Sequence, residues 1–334
     1  MTIAVLAGSK SDENEVNKVV ERLAKAKKGL KVDVSYISAH RELHALINYM
    51  EGIDHDNRYR GMVGIIDSNE LSNLPEHVDF YIALAGLTNA LAGTVAALTD
   101  EPVIGVPLWN GSASSPGGLE SILSVTQLPP PKDRRNVAIG ATALNGSAYA
   151  ADFVSNCIDA AYRTTEFDVC VLAKEIPDKE VVGIAEGRKA LAKAIESFRE
   201  TAKSLALNVS YEIGQELPKD AAALDPNKAK VYVIVSTQPI GRMGSFAKDA
   251  KIPIVTVPIL SDYDVRIFKG LTNCEPLGAG DEIALGIAVR NIFGMAPQGP
   301  GVTVGYNASP NAATYSKKLV DTMAHMQKAA KSQN

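Results

Sequence analysis

Cysteine, tryptophan and aromatic residues in general are scarce in this chain: 3 cysteines, 1 tryptophan and 6% aromatics among 334 residues. Cys157, Cys170 and Cys274 form no CxxC pair and no metal-ligand spacing, so neither a disulfide framework nor a thiolate zinc site is expected, and the three are read as small buried hydrophobes. Neither charge sign is in excess. With 34 Lys and Arg against 38 Asp and Glu the formal net charge is −4, without a basic stripe or a long acidic run. Nucleic acid binding therefore has no electrostatic footprint, and any phosphate recognition has to be local. No apolar run reaches the roughly 18 residues of a membrane span, and no basic leader precedes the first strand-like run, so a cytoplasmic protein without membrane contact is expected. A GxGxxG fingerprint is missing too, which argues against a dinucleotide cofactor.

What is present is an ordinary globular composition, 46% hydrophobic and 22% charged, arranged in alternating apolar patterns. Residues 3–7 (IAVLA) and 32–37 (VDVSYI) are short β-branched runs, and Val16, Val19, Val20 and Leu23 between them have helical spacing, which predicts a βαβ unit. Further strands are predicted at 81–85, 103–106 and 137–140, and helices at 89–98 and 147–162. Alternation at this length predicts a parallel sheet covered on both faces. The pattern then starts again. Residues 169–173 (VCVLA) resemble 3–7, and 208–211 (NVSY) resemble 33–36 (DVSY). Residues 253–258 (PIVTVP) repeat 102–107 (PVIGVP), and 302–305 followed by Asn311-Ala312-Ala313 echo 137–140 followed by Gly146-Ser147-Ala148. Matches in one order at so long a period predict an internal duplication: two tandem α/β domains, 1–164 and 165–334, with the boundary near 163–167. From Lys317 onward the pattern is helical, with a tip expected to fray.

In such a sheet the ligand sits beyond the carboxyl ends of the strands. Three loops leave those ends in the first half. In the first, Gly8-Ser9-Lys10-Ser11-Asp12, glycine permits a tight turn, Ser9 and Ser11 offer hydroxyls and amides at a helix start, and Asp12 suits the hydroxyls of a ribose. Alone, the same residues would serve equally as helix caps and a first-turn acid. In the second, Ser38-Ala39-His40-Arg41, Ser38 is a natural N-cap, His40 falls in the first turn and is the residue type suited to proton transfer, and Arg41 carries a planar fork for phosphate. An exposed first-turn histidine beside a surface arginine is the plainer reading of that tetrapeptide. The third loop, from Ala85 and Gly86 through Leu87 and Thr88 to Asn89, leads into a helix whose amides could hold a carboxylate or carbon dioxide, or could form only a tight capped turn. His44 stands one turn beyond His40 and could tune it, but the pair lacks a third ligand and no metal is expected. His55, His77 and His325 are read as surface residues.

Taken in order, GSKSD at 8–12, SAHR at 38–41, PVIGVP at 102–107 and the stretch from Gly118-Leu119-Glu120-Ser121 to Gln127-Leu128-Pro129 resemble the aminoimidazole ribonucleotide carboxylase family of purine biosynthesis. The resemblance spans residues 3 to about 162. It implies flavodoxin-like three-layer (αβα) domains, without metal or organic cofactor, acting on a small-molecule ribonucleotide and carbon dioxide. By the same resemblance Ser9, Ser11 and Asp12 would hold the ribose and phosphate end, Arg41 the phosphate, and Ser38 would help to position the substrate. Gly86 and Asn89 would line the carboxylate side, and His40 would be the acid and base. The family's bacterial mutase branch, which moves the carboxyl group from the neighbouring amine, carries GGAAHLPG where this chain has Gly86-Leu87-Thr88-Asn89-Ala90-Leu91-Ala92-Gly93. Asn89 and Gly146-Ser147-Ala148 look more like the branch that uses carbon dioxide directly, although Leu87 and Arg41 depart from it. Direct carboxylation at C4 is therefore the expectation, and the mutase its alternative.

The second half replaces both loops, with Lys174-Glu175-Ile176-Pro177-Asp178 for the first and Ile213-Gly214-Gln215-Glu216 for the second. A phosphate there would face Glu175 and Glu216 without a guanidinium partner, so a structural repeat is expected. Since single-domain family members are typically octamers, four such chains would reproduce that arrangement as a homotetramer. A non-catalytic ribonucleotide-binding scaffold is the reading of another class. It leaves His40 without a purpose, because holding a phosphate and a ribose requires no titratable base.

Overall fold

The structure, a computed structural model, describes residues 1–26, 29–53, 75–86, 90–109, 121, 124–125, 138–173, 184–214, 217–218, 220–236, 246–259, 299–305 and 308–332. The predicted βαβ unit opens the chain as β1 (Thr2–Ala7), α1 (Glu13–Ala26) and β2 (Lys31–Tyr36). Helix α1 forms because Val16, Val19 and Leu23 recur on one stripe, all buried against the sheet, while Glu13 and Glu15 favour its positive end. Burial of each such side chain contributes roughly 1.5–3 kcal/mol. There follow α2 (Leu43–Ile53), β3 (Phe80–Ala85), α3 (Ala90–Leu98), β4 (Val103–Pro107), β5 (Ile139–Ala141) and α4 (Ser147–Ala161). The second half contains β6 (Phe167–Ala173), α5 (Ile184–Ser204), β7 (Val209–Ile213), β8 (Ala229–Ser236), β9 (Ile254–Pro258), β10 (Gly301–Thr303) and α6 (Ser309–Ser332). Strand β8 is additional to the four sequence matches, and the helical end runs unbroken to Ser332.

All ten strands belong to one sheet, ordered β2-β1-β3-β4-β5-β10-β9-β8-β6-β7 among the described residues. Read inward from either edge, the strands come in the same sequence: second, first, third, fourth, fifth of their half. Within each half every pairing is parallel, as expected. The expectation of purely parallel sheets is corrected at the centre, where β10 meets β5 antiparallel with Thr303 opposite Ala141. An antiparallel step there lets two fifth strands, each otherwise an open edge with unpaired amides, satisfy one another.

Packing differs between the two faces. On one, a single core runs the whole width, from Ile3, Val5 and Val19 through Ile82, Phe153 and Val154 to Val171, Val233, Leu319 and Met323. On the other, Leu46, Tyr81, Leu91 and Val95 fill a core over the first half, and Leu172, Tyr232, Ile234 and Phe246 fill a separate one over the second. Alternate residues of β1 and β8 serve opposite faces, which is why their sequences read as continuous apolar runs. The last helix of each half reaches into the other. Asn156 of α4 donates to Ala250 O at 2.9 Å, while Lys318 of α6 donates to Thr99 O at 3.0 Å and Thr322 to Glu101 at 2.9 Å. Gly140 of β5 has to lack a side chain, since a Cβ would stand 2.6 Å from the Tyr315 hydroxyl of α6. Cys157 and Cys170 are buried, as read; Cys274 lies outside the described residues. No described helix is long and apolar enough to cross a membrane.

Candidate functional site

Strand β1 lies between β2 and β3, so the loops at their carboxyl ends are neighbours by construction. Backbone bonds carry the pairing past the strand ends: Gly8 N donates to Leu84 O at 3.0 Å, Ile37 N to Ala7 O at 2.9 Å and Leu108 N to Ala85 O at 2.9 Å. The first and second loops, the start of the third at Ala85 and Gly86, and the exit of β4 thus form one rim. A Cβ on Gly8 would come within 3.4 Å of Ala85, so the small residues of the first and third loops let them approach.

In the first loop, residues 10–12 form a single 3₁₀ turn capped by Ser9, whose Oγ accepts from Ser11 N at 3.2 Å and from Ser11 Oγ at 2.9 Å. Helix α1 follows at once, so the serine pair and Asp12 stand over its positive terminus. Burial, with Glu15 nearby, pushes the Asp12 carboxyl above its ordinary value against the opposing hydrogen bonds of Ser11 and Ser9. Partial burial and the carboxylates of Glu13 and Asp12 push the Tyr36 phenol up as well, which ties the end of β2 electrostatically to the first loop.

The second loop corrects one expectation. Ser38 does not cap α2 directly and His40 is not in that helix's first turn. Residues 39–41 form a separate turn, and α2 begins only at Leu43. Glu42 causes the separation: its carboxylate accepts from Ser38 N at 2.9 Å, and its own N donates to Ser38 O at 2.7 Å, closing the loop on itself before the helix starts. Buried Ser38 then receives Arg41 N at 3.4 Å and Arg41 Nε at 3.5 Å on its Oγ. The turn holds Ser38 inward while His40 and Arg41 are exposed on the rim.

Gly86 closes β3 on the same rim, with Leu108 O 3.6 Å from where a Cβ would be. Asn89, with Leu87 and Thr88, lies outside the described residues, as does His55. Ser121 was legible only as part of a motif. It is fully buried and its Oγ donates to Ala85 O at 2.8 Å, so Ser121 itself braces the end of β3. Two further contacts extend the rim. Ser147, at the start of α4, donates to Glu15 at 2.6 Å, and Asn145, at φ 54°, accepts from Trp109 N at 2.9 Å. Gly146 is required by its turn, because a Cβ would meet Ala143 O at 2.6 Å.

The structure therefore gathers Ser9, Ser11, Asp12, Ser38, His40, Arg41 and Gly86 along one edge of three adjacent strands. The arrangement offers hydroxyls and amides at a helix start, a guanidinium and an imidazole within one rim. His44 is exposed on α2. His77 and His325 are exposed too, but both face buried Asp79 at the opposite edge of the sheet, which sequence reading missed. Of the replacement loops in the second half, Ile213 ends β7 and Gly214 follows at φ 87°; 174–178, Gln215 and Glu216 lie outside the described residues.

Comparison with known proteins adds to this geometry. The family model for AIR carboxylase matches residues 67–166. The N5-carboxyaminoimidazole ribonucleotide mutase of Vibrio cholerae is 32% identical over 152 residues, covering 46% of this chain and 75% of the relative. The protein of the same name from Pseudomonas aeruginosa is 31% identical over 153 residues, covering 46% and 78%, and that from Saccharolobus solfataricus 29% over 161 residues, covering 48% and 83%. Among solved structures, Treponema denticola PurE aligns at 20% identity with a TM-score of 0.34, over 61% of this chain and 98% of its own. With identity above 30% across three quarters of the Vibrio relative, the chain belongs to the AIR carboxylase family.

Proposed function

We propose that the first half of this chain moves a carboxyl group on an aminoimidazole ribonucleotide, from the exocyclic amine to C4. The observation that carries the reading is the rim itself: Gly8 to Asp12 and Ser38 to Arg41 leave neighbouring strands and stand together over a helix start. Asp12 and the Ser9–Ser11 pair suit ribose hydroxyls and phosphate, and Arg41 supplies a phosphate fork.

The relatives favour the mutase over direct carboxylation, the branch expected from the sequence. Two residues behind that expectation serve the fold instead, since Gly146 is required by its turn and Ser147 bonds Glu15. The proton balance also suits a single imidazole. Breaking the N–CO₂ bond releases carbon dioxide and requires a proton at nitrogen. The enamine C4 then attacks that carbon dioxide and C4 sheds its own proton to regain aromaticity. His40, giving the first proton and taking the second, ends each turnover as it began. The substrate's enamine is the nucleophile, so the remaining task is to hold carbon dioxide beside C4 in a dry cleft, a matter of proximity and desolvation.

The proposal extends to the whole chain as a tandem duplication whose second half has lost its site. Equal strand order in the two halves supports it, as does the exchange of last helices, which resembles a two-fold pair joined into one polypeptide. Assembly as a homotetramer follows if each chain stands for two single domains; sedimentation should then give four times the chain mass. The decisive assay supplies the N-carboxylated ribonucleotide in bicarbonate-depleted buffer and should yield the C4-carboxylated product. Turnover confined to the unmodified ribonucleotide with bicarbonate would instead establish direct carboxylation, and no turnover with either would leave a binding scaffold.

A further inference from the structure

At the amino-terminal ends of β1 and β3, remote from the rim, three potential metal ligands converge from the two halves of the chain. Asp79 immediately precedes β3 and is buried; His77 stands two residues before it, and His325 comes from α6 of the other half. His77 Nε2 lies 3.6 Å and His325 Nδ1 3.5 Å from the same oxygen, Asp79 Oδ1. The other carboxylate oxygen, Oδ2, accepts from Thr2 N at 2.8 Å, and Asp79 N donates to Thr2 O at 2.8 Å. Asp79 is thus fixed by β1 with one oxygen turned to the two imidazoles. The rings meet edge to face at 4.7 Å between centroids, and the three donor atoms all lie within 4.8 Å of one another.

These spacings suit a metal better than a plain hydrogen-bonded trio. An N–H···O bond is optimal near about 2.9 Å, shorter than either contact. Ligands at about 2.0–2.1 Å around a tetrahedral zinc stand roughly 3.4 Å apart, close to both. The exposed rings can close the remaining histidine gap by small side-chain rotations. Beside the trio is a cleft of about 490 Å³, lined also by Glu76, Lys31 and Tyr162, with room for a fourth, exchangeable ligand. Imidazole and carboxylate donors select zinc and its first-row neighbours over magnesium or calcium, which favour all-oxygen shells.

We infer that His77, Asp79 and His325 form a binding site for a divalent ion of the zinc class, pinning α6 of the second half to the β1–β3 edge of the first. The site is separate from the rim and independent of the reaction assigned there.

The test uses full-length protein freed of any affinity tag, stripped with chelator and titrated with zinc by calorimetry, with cobalt absorption reporting coordination number. One ion should bind per chain, with cobalt bands of four- or five-coordinate geometry, and zinc should raise the melting temperature. Either His77→Gln or His325→Gln should weaken binding tenfold or more and abolish the thermal shift, and both are exposed positions that tolerate the change. His44→Gln, which disables the His40/His44 pair, should leave affinity unaltered. Failure of the wild type to bind zinc or cobalt overturns the inference, as does binding that survives both substitutions or disappears with His44→Gln.

Discussion

Asp12, assigned to ribose binding in the proposed function, is a residue whose charge the fold disfavours. Its carboxyl is pushed up by burial and by Glu15, so ionisation costs more in the folded chain than in the unfolded one. A group raised in this way stabilises only while protonated; that contribution is lost as pH rises through its folded value. Asp12→Asn should therefore raise the melting temperature at neutral pH, by a margin that shrinks as pH falls toward the ordinary carboxyl range, while ribonucleotide affinity drops. A fall in melting temperature at pH 7 would show that the carboxylate holds α1 more than it awaits a ligand. At this scale the sequence was most informative where residues are contiguous. GSKSD and SAHR, each readable alone as caps or surface residues, became candidates for chemistry only when taken in order with the other family motifs. His77, Asp79 and His325 could not be assembled, because the first and last are brought together only when α6 of one half lies across the other.

Elements were legible where two signals coincide. The predicted strands at 3–7, 81–85 and 103–106 differ from β1, β3 and β4 by a residue at an end, because β-branched runs stop at small or polar residues. The start of α2 was misplaced because Ser38 resembles an N-cap, and only Glu42, folding back on Ser38 N, reveals that a turn intervenes. Strand β8 was missed although Val231, Val233 and Val235 alternate as clearly as β1 does. The central pairing of β5 with β10 was illegible, since both strands are only three residues long and the antiparallel step pairs residues from opposite halves. Packing there gives a paired test. Tyr315 is wholly buried, and its hydroxyl has no hydrogen-bond partner among the described residues. Removing an unsatisfied hydroxyl should relieve a penalty, so Tyr315→Phe is expected to stabilise by about 1 kcal/mol in urea unfolding. Gly140→Ala drives a methyl group against that same ring and should destabilise by about 1–3 kcal/mol. Loss of stability in Tyr315→Phe would mean that the hydroxyl has a partner after all.

At the scale of the molecule the two halves share a sheet and one of its cores, so they are expected to unfold together. Lys318 reports on that union. It belongs to α6 and sets its ammonium on Thr99 O of the first half, and burial lowers its pKa to about 8 although Asp100 and Glu101 oppose the shift. Between pH 8 and the ordinary lysine value the unfolded chain holds a proton that the folded chain has released, so stability rises with pH across that window, by up to about 3 kcal/mol. Urea midpoints should increase from pH 8 to pH 10 in the wild type relative to Lys318→Met, whose profile lacks this component; parallel profiles would place the ammonium in solvent. The proposed duplication rests in sequence on four ordered matches, whereas the shared core was not legible there, because each half contains enough apolar pattern to suggest a core of its own. The central claim is that one working site per chain depends on His40. It is tested most directly by titrating the C4-carboxylated ribonucleotide into wild-type and His40→Asn protein by calorimetry, with turnover of the N-carboxylated substrate measured on the same samples. The account predicts one nucleotide bound per chain in both proteins, with turnover reduced at least 100-fold, the scale of a lost acid–base group, in the variant alone. Two nucleotides per chain, or turnover that survives the substitution, would contradict it.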